Sequence, residues 1–192
     1  NVVYITTPRD IRDPMSTAEK HAKAGITVVR GSASSFGKYT RQKVVDEDGI
    51  IDYMVYFNNN ADTGAVVGMM DTMPANGKNG SHFTGTYTFA EWKLDTGKCD
   101  PDKLAVYYTF DEAYQDKTAK DVPVEEIEKW ERTTIGEDGT IAIPAGTQQQ
   151  PHPVAWAVIG ALEPHKSVNI ELKIKLEPGV SDNDKKNNYF VN

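Results

Sequence analysis

The sequence predicts a mainly β fold, an antiparallel β-sandwich with one or two short helices, and three observations carry that expectation. From Phe36 onward, short segments rich in β-branched and aromatic residues recur at brief intervals, each bounded by Gly, Asn, Asp or Pro. Two Asp-Gly pairs, Asp48-Gly49 and Asp138-Gly139, supply the positive φ that tight hairpin turns demand. Finally, Val168, Ile170, Leu172, Ile174 and Leu176 alternate with Asn169, Glu171, Lys173 and Lys175, the period of a strand with one face in a core and the other in water.

Taken in order, residues 2–6 (VVYIT) read as a strand, and Pro8 and Pro14 frame a turn. Ser16 and Glu19 stand at capping-box spacing and Gly25 at a C′ position, which predicts a short helix over 16–24. Residues 26–30 (ITVVR) return to strand composition. This β-α-β outline sets residues 1–35 apart as an N-terminal extension or the end of a preceding unit, with the sandwich proper over 36–192. Within it, strands are expected near 37–45, 50–57, 65–70, 84–94 and 104–110. In 50–57 (IIDYMVYF), seven of eight positions are apolar or aromatic, as in a strand covered on both faces, and Asn58 to Asn60 stop it. Residues 122–131 break the β pattern. Pro123, the first-turn Glu125 and Glu126, and Val124, Ile127 and Trp130 on one face predict a short amphipathic helix covering a sheet edge or an open end. Three prolines make 144–153 a loop, and VAWAVIGAL reads as a buried strand. The expected core holds Tyr53, Val55, Phe57, Trp156, Val158, Ile170, Leu172 and Ile174.

The order of these pieces resembles the Ig-like repeat domains of Gram-positive cell-surface proteins, including adhesins and pilin-like stalks. The matching residues are the strand ending in Asn58, the closing Asp71-Thr72-Met73-Pro74, and Gly77 leading to Ser81-His82-Phe83-Thr84-Gly85-Thr86-Tyr87. Val106-Tyr107-Tyr108-Thr109 and Leu162-Glu163-Pro164 extend the likeness over roughly residues 36–192. The resemblance implies an Ig-like sandwich in an extracellular, non-catalytic stalk, spacer or adhesion module at a Gram-positive cell surface or wall. Its partners would be neighbouring domains of the same protein and a host or glycan ligand the sequence does not name. No cofactor is implied, and any wall-sorting signal would sit at the far end of the full protein.

Bulk properties narrow the classes. With 192 residues the chain can bury a sizeable core without staples. A formal net charge of −7 and a pI near 5.1 argue against nucleic acid or anionic membrane as partners, which reward a basic stripe. The single cysteine, Cys99, excludes an internal disulfide. No apolar run approaches the roughly 18–20 residues that span a bilayer, so no membrane insertion by this segment is expected. The opening residues NVVYITTPRD lack the basic start and apolar centre of a signal peptide.

Candidate chemistry is sparse. Histidines 21, 82, 152 and 165 show no zinc-ligand spacing, and no nucleophile elbow, phosphate loop or dinucleotide fingerprint occurs, so no enzyme activity is expected. Asp46 with Asp48, and Asp182 with Asp184, group hard oxygen ligands of the kind calcium takes, but neither pair follows an EF-hand loop and solvated turns explain both. The resemblance implies a further chemistry, a Lys–Asn isopeptide bond promoted by a buried acid. Lys38 or Lys43, Asn188 or Asn192, and Asp71 or Glu91 could supply its parts. Glu91 follows TYTFA, similar to the strand that carries the acid in collagen-adhesin B-type domains, whereas Asp71, close to Pro74, reads as a turn former. The alternative function is a carbohydrate-binding module, because flat rings stack on sugars. Trp156 and Trp130 read as buried, which leaves Trp92 as the exposed candidate.

Overall fold

The computed structural model describes residues 2–4, 21–23, 34–42, 49–78, 81, 83 and 85–177, the first two stretches by backbone alone. Residues 1–30 and 31–192 are separate compact units. In the first, β1 (Val2–Tyr4) pairs antiparallel with β2 (His21–Lys23), Val3 opposite Ala22. The helix expected over 16–24 is therefore corrected at 21–23. An isolated helix of nine residues is too short to be stable in water, and a partner strand meets the backbone's hydrogen bonds instead.

The second unit holds β3 (Ser34–Thr40), β4 (Ile50–Asn59), β5 (Ala65–Thr72), β6 (Tyr87–Leu94), β7 (Leu104–Thr109), β8 (Glu131–Thr133), β9 (Ala155–Leu162) and β10 (Ser167–Leu176). They form two antiparallel sheets, in the orders β3-β4-β10-β6 and β5-β9-β7-β8. The mainly β sandwich predicted from the sequence is thus present, with three short helical pieces among the described residues: Pro101–Lys103, Glu112–Tyr114 and α1 (Val124–Ile127). Its pairing is nested. Along the chain β4 pairs with β10, β5 with β9, β6 with residues 139–141, and β7 with β8. A long antiparallel ribbon has been rolled up so that β10 also meets β6 and β9 also meets β7. That is the connectivity of a jelly roll, within the two-layer sandwich architecture that Ig-like domains share without always sharing its wiring.

The core lies between the sheets. Trp92 and Trp156 meet edge to face at 5.6 Å among Val67, Leu94, Val106, Ile141, Val158, Ile170, Leu172 and Ile174. Of the expected core, Val55 and Phe57 are only partly buried, because β4 lies next to an open flank. Cover on both faces, expected for β4, belongs instead to β9. Its inner side chains join the main core, and Ala155 and Ala157 form a second cluster with Val122, Ile127 and Trp130. That double burial explains why VAWAVIGAL does not alternate. The helical segment accordingly covers a sheet face rather than an edge or open end, and its helix is a single turn.

The two flanks of the sandwich differ. On one, Thr133 Oγ1 donates to the Ala142 carbonyl at 2.6 Å and Ala142 N to the Thr134 carbonyl, while Ile141 N donates to Trp92 on the other sheet. The turn there depends on Gly139 at φ +82°, where a Cβ would lie 2.1 Å from the Leu94 carbonyl oxygen. The expected Asp138-Gly139 hairpin is present, with Ile135 bridged to Ile141. Edge strands β3 and β5 bound the other flank.

Candidate functional site

Charged side chains meet between the edge strands of the two sheets at Lys38 on β3 and Asp71 on β5. Lys38 Nζ donates to both carboxylate oxygens, at 2.7 and 2.9 Å. The pair is largely removed from water, the side chains being 19% and 14% exposed. Strand period explains the placement of Lys38. It shares a phase with Phe36 and Thr40, which lie opposite Phe57 and Tyr53, so it points between the sheets, with Nζ 4.9 Å from the Tyr53 ring centre. Asp71 is a strand residue opposite Trp156, which corrects its reading as a turn former. Pro74 lies beyond the end of β5 and constrains the loop, not the aspartate.

Burial dominates the electrostatics. It pulls the Lys38 ammonium below its ordinary 10.5, against the attraction of Asp71. It likewise pushes the Asp71 carboxyl above its ordinary 3.8, against Lys38. Both shifts work against the charged forms, and the two hydrogen bonds between the partners oppose them. The Tyr53 phenol is pushed up by burial and then by Asp71, and Tyr87 by burial and then by Tyr53 and Asp71. Tyr87 donates its hydroxyl to the Pro74 carbonyl at 2.7 Å and stacks on His152 at 3.8 Å. Burial lowers the His152 pKa, so its ring is neutral at pH 7. The result is a chain of titratable groups, Lys38, Asp71, Tyr53, Tyr87 and His152, drawn from β3, β5, β4, β6 and the 144–153 loop.

Of the isopeptide candidates, the fold brings together Lys38 and Asp71 only. Glu91 accepts from Lys173 at 3.0 Å on the outer face of its sheet, away from the pair. Lys43, Asn188 and Asn192 lie outside the described residues, as do the calcium candidates Asp46, Asp48, Asp182 and Asp184. Asn58 and Asn59 are hydrogen-bonded elsewhere, to Ser35 and to the Thr63 and Glu163 carbonyls. Among the described residues, no three metal-ligating side chains come together.

Trp92 is fully buried, which corrects its reading as the exposed ring. A bulge is the cause. Lys173 pairs with Glu91 and Ile174 with Phe89, so Ala90 is an extra residue in β6. Alternation run straight from Tyr87 would turn Glu91 inward and Trp92 outward. Past Ala90 the phase reverses, so Trp92 and Leu94 point in and Glu91 points out. Tyr53 was legible as core but not as a neighbour of the pair, and Tyr87 and His152 were missed. The sequence carried little signal, since Phe36 and Thr40, in phase with Lys38, are exposed, and it is the pairing opposite Val55 on β4 that turns Lys38 inward. Cys99 is a buried free thiol, and burial with Asp95 and Asp100 nearby raises it to about 11, so it rests protonated. Against known protein families, curated proteins and solved structures, the chain finds no match.

Proposed function

We propose that this chain is a non-catalytic, extracellular module of a Gram-positive surface protein, working as a stalk or spacer or in adhesion. The observation that carries the reading is where the described sandwich begins and ends along the chain. Ser34, the start of β3, lies opposite Asn59, whereas Leu176, the end of β10, lies beside Gly49, whose carbonyl accepts its N–H. Those points are at opposite ends of β4, whose ten residues span about 30 Å at the usual rise. A first strand that starts and a last described strand that ends at opposite ends of the sheet suit a link in a string.

Force applied at Ser34 and Leu176 also loads the sheet along its strands. The seven residue pairs of β3 with β4 and the nine of β4 with β10 must then yield together rather than one at a time. The Lys38–Asp71 pair fastens β3 to the second sheet against that load. Neighbouring domains and a host or glycan ligand remain the partners of this reading. The carbohydrate-binding alternative rested on Trp92, whose ring faces the core.

Single-molecule pulling tests the spacer reading. Handles at 34 and 176 should require a severalfold higher unfolding force than handles at 50 and 176, which peel one strand end from another. Equal forces would remove the mechanical argument. Turnover on peptidoglycan, glycan or ester substrates, abolished by one substitution, would replace the module with an enzyme.

A further inference from the structure

β3 is the least embedded of the long strands. All seven of its residues are exposed or half-buried, with Phe36 80% exposed, whereas β10 buries every second residue. Besides the backbone ladder to β4, it is held by the Lys38–Asp71 pair and by Asn58 Nδ2 donating to Ser35 Oγ at 3.1 Å. It also lies just after the division between the two compact units, at Arg30 and Gly31. Yet the slot it fills is demanding. Without β3, the edge of β4 loses its ladder and Asp71 faces a largely dry interior without a cation. An occupant must complete the ladder to β4 and place a lysine opposite Val55, and at Gly37 a larger residue would only push the Tyr56 ring aside. The strand that meets those terms is β3 itself.

The geometry points to exchange of β3 between two copies of this chain. In the exchanged pair, β3 of each copy lies on β4 of the other, and each Lys38 reaches the other copy's Asp71. The β3–β4 ladder and the Lys38–Asp71 contact are kept in the exchanged pair. The cost is the entropy of association, so the exchanged form grows with protein concentration. This inference stands apart from the surface-module reading, since it concerns how copies join and not where they work.

A charge exchange tests it. Lys38→Asp and Asp71→Lys each place like charges in their own slot, but together they match across an exchanged pair. The two variants, unfolded and refolded together, should give a mixed dimer at least tenfold over either homodimer by native mass spectrometry. Absence of that mixed dimer from folded variants would overturn the proposal. Should the charge variants fail to fold, a second arm decides, in a Cys99→Ser background. Ser35→Cys on one chain and Asn58→Cys on another, refolded together under oxidising conditions, should form a disulfide dimer containing one chain of each. Monomers alone, beside a Ser35→Cys/Asn58→Cys double variant that closes its bond within one chain, would show that β3 stays at home.

Discussion

The flank where residues 134–142 lie and the flank bounded by β3 and β5 solve one problem in different ways. On the first, backbone hydrogen bonds join Ala142 to Thr134 and Ile141 to Trp92, so the sheets are stitched through a hairpin that touches both. On the second, two edge strands face each other across an ion pair, and Phe36 and Val66 are largely exposed. The first closure rests chiefly on backbone bonds, with glycine at position 139, the Thr133 hydroxyl and the buried Ile141 in support. The second depends on one lysine and one aspartate. Inward charges on edge strands also discourage stray strand pairing, because an intruding strand must bury the same charge unpaired. An edge fastened this way rejects foreign strands while accepting a copy of itself.

Five measurements would break or sharpen the contrast. The largest effect belongs to neither flank: Leu172→Ala, at the fully buried centre of β10, should cost about 2–5 kcal/mol in chemical denaturation. An unchanged midpoint would remove β10 from the core. On the open flank, Lys38→Met should cost about 2–4 kcal/mol, because it strands a largely buried carboxylate. The Lys38→Met/Asp71→Leu double variant should recover most of that loss. If it does not, the pair is more than a neutralised charge. On the stitched flank, Gly139→Ala should cost about 1–3 kcal/mol, since the backbone must leave its positive φ or the Leu94 carbonyl must move.

The fourth measurement is stability against pH, compared between the natural chain and Asp71→Asn. Burial raises the Asp71 pKa above its ordinary 3.8. Between those values the folded chain binds the proton more tightly than the unfolded chain does. The stability Asp71 contributes is therefore full below 3.8 and lost as pH rises through its folded pKa. The opposite slope would mean that attraction to Lys38 outweighs burial. The smallest effect is none at all: the intact mass should equal the sequence mass of 21.3 kDa. A deficit of one ammonia, abolished in Lys38→Met, would instead place a Lys–Asn amide at this flank.

By itself the sequence determined the local elements, because each rests on chemistry within a few residues. Alternation in 168–176 gave β10, Asp138-Gly139 gave its hairpin, and the apolar run of 154–162 gave a buried strand. Trp130 and Ile127 were legible as the buried face of a short helix. Tertiary structure alone decided the rest. Nothing local says that β10 pairs with both β4 and β6, since strand order depends on which apolar faces bury best together. Ala90 looks like any strand residue, yet as a bulge it turned Trp92 into the core and sent Glu91 out to Lys173. Lys38 and Asp71 stand 33 residues apart in different sheets, so no spacing rule links them. They meet because the rolled ribbon leaves both on edge strands of one flank, where each is the other's nearest means of satisfying a charge that water cannot freely reach.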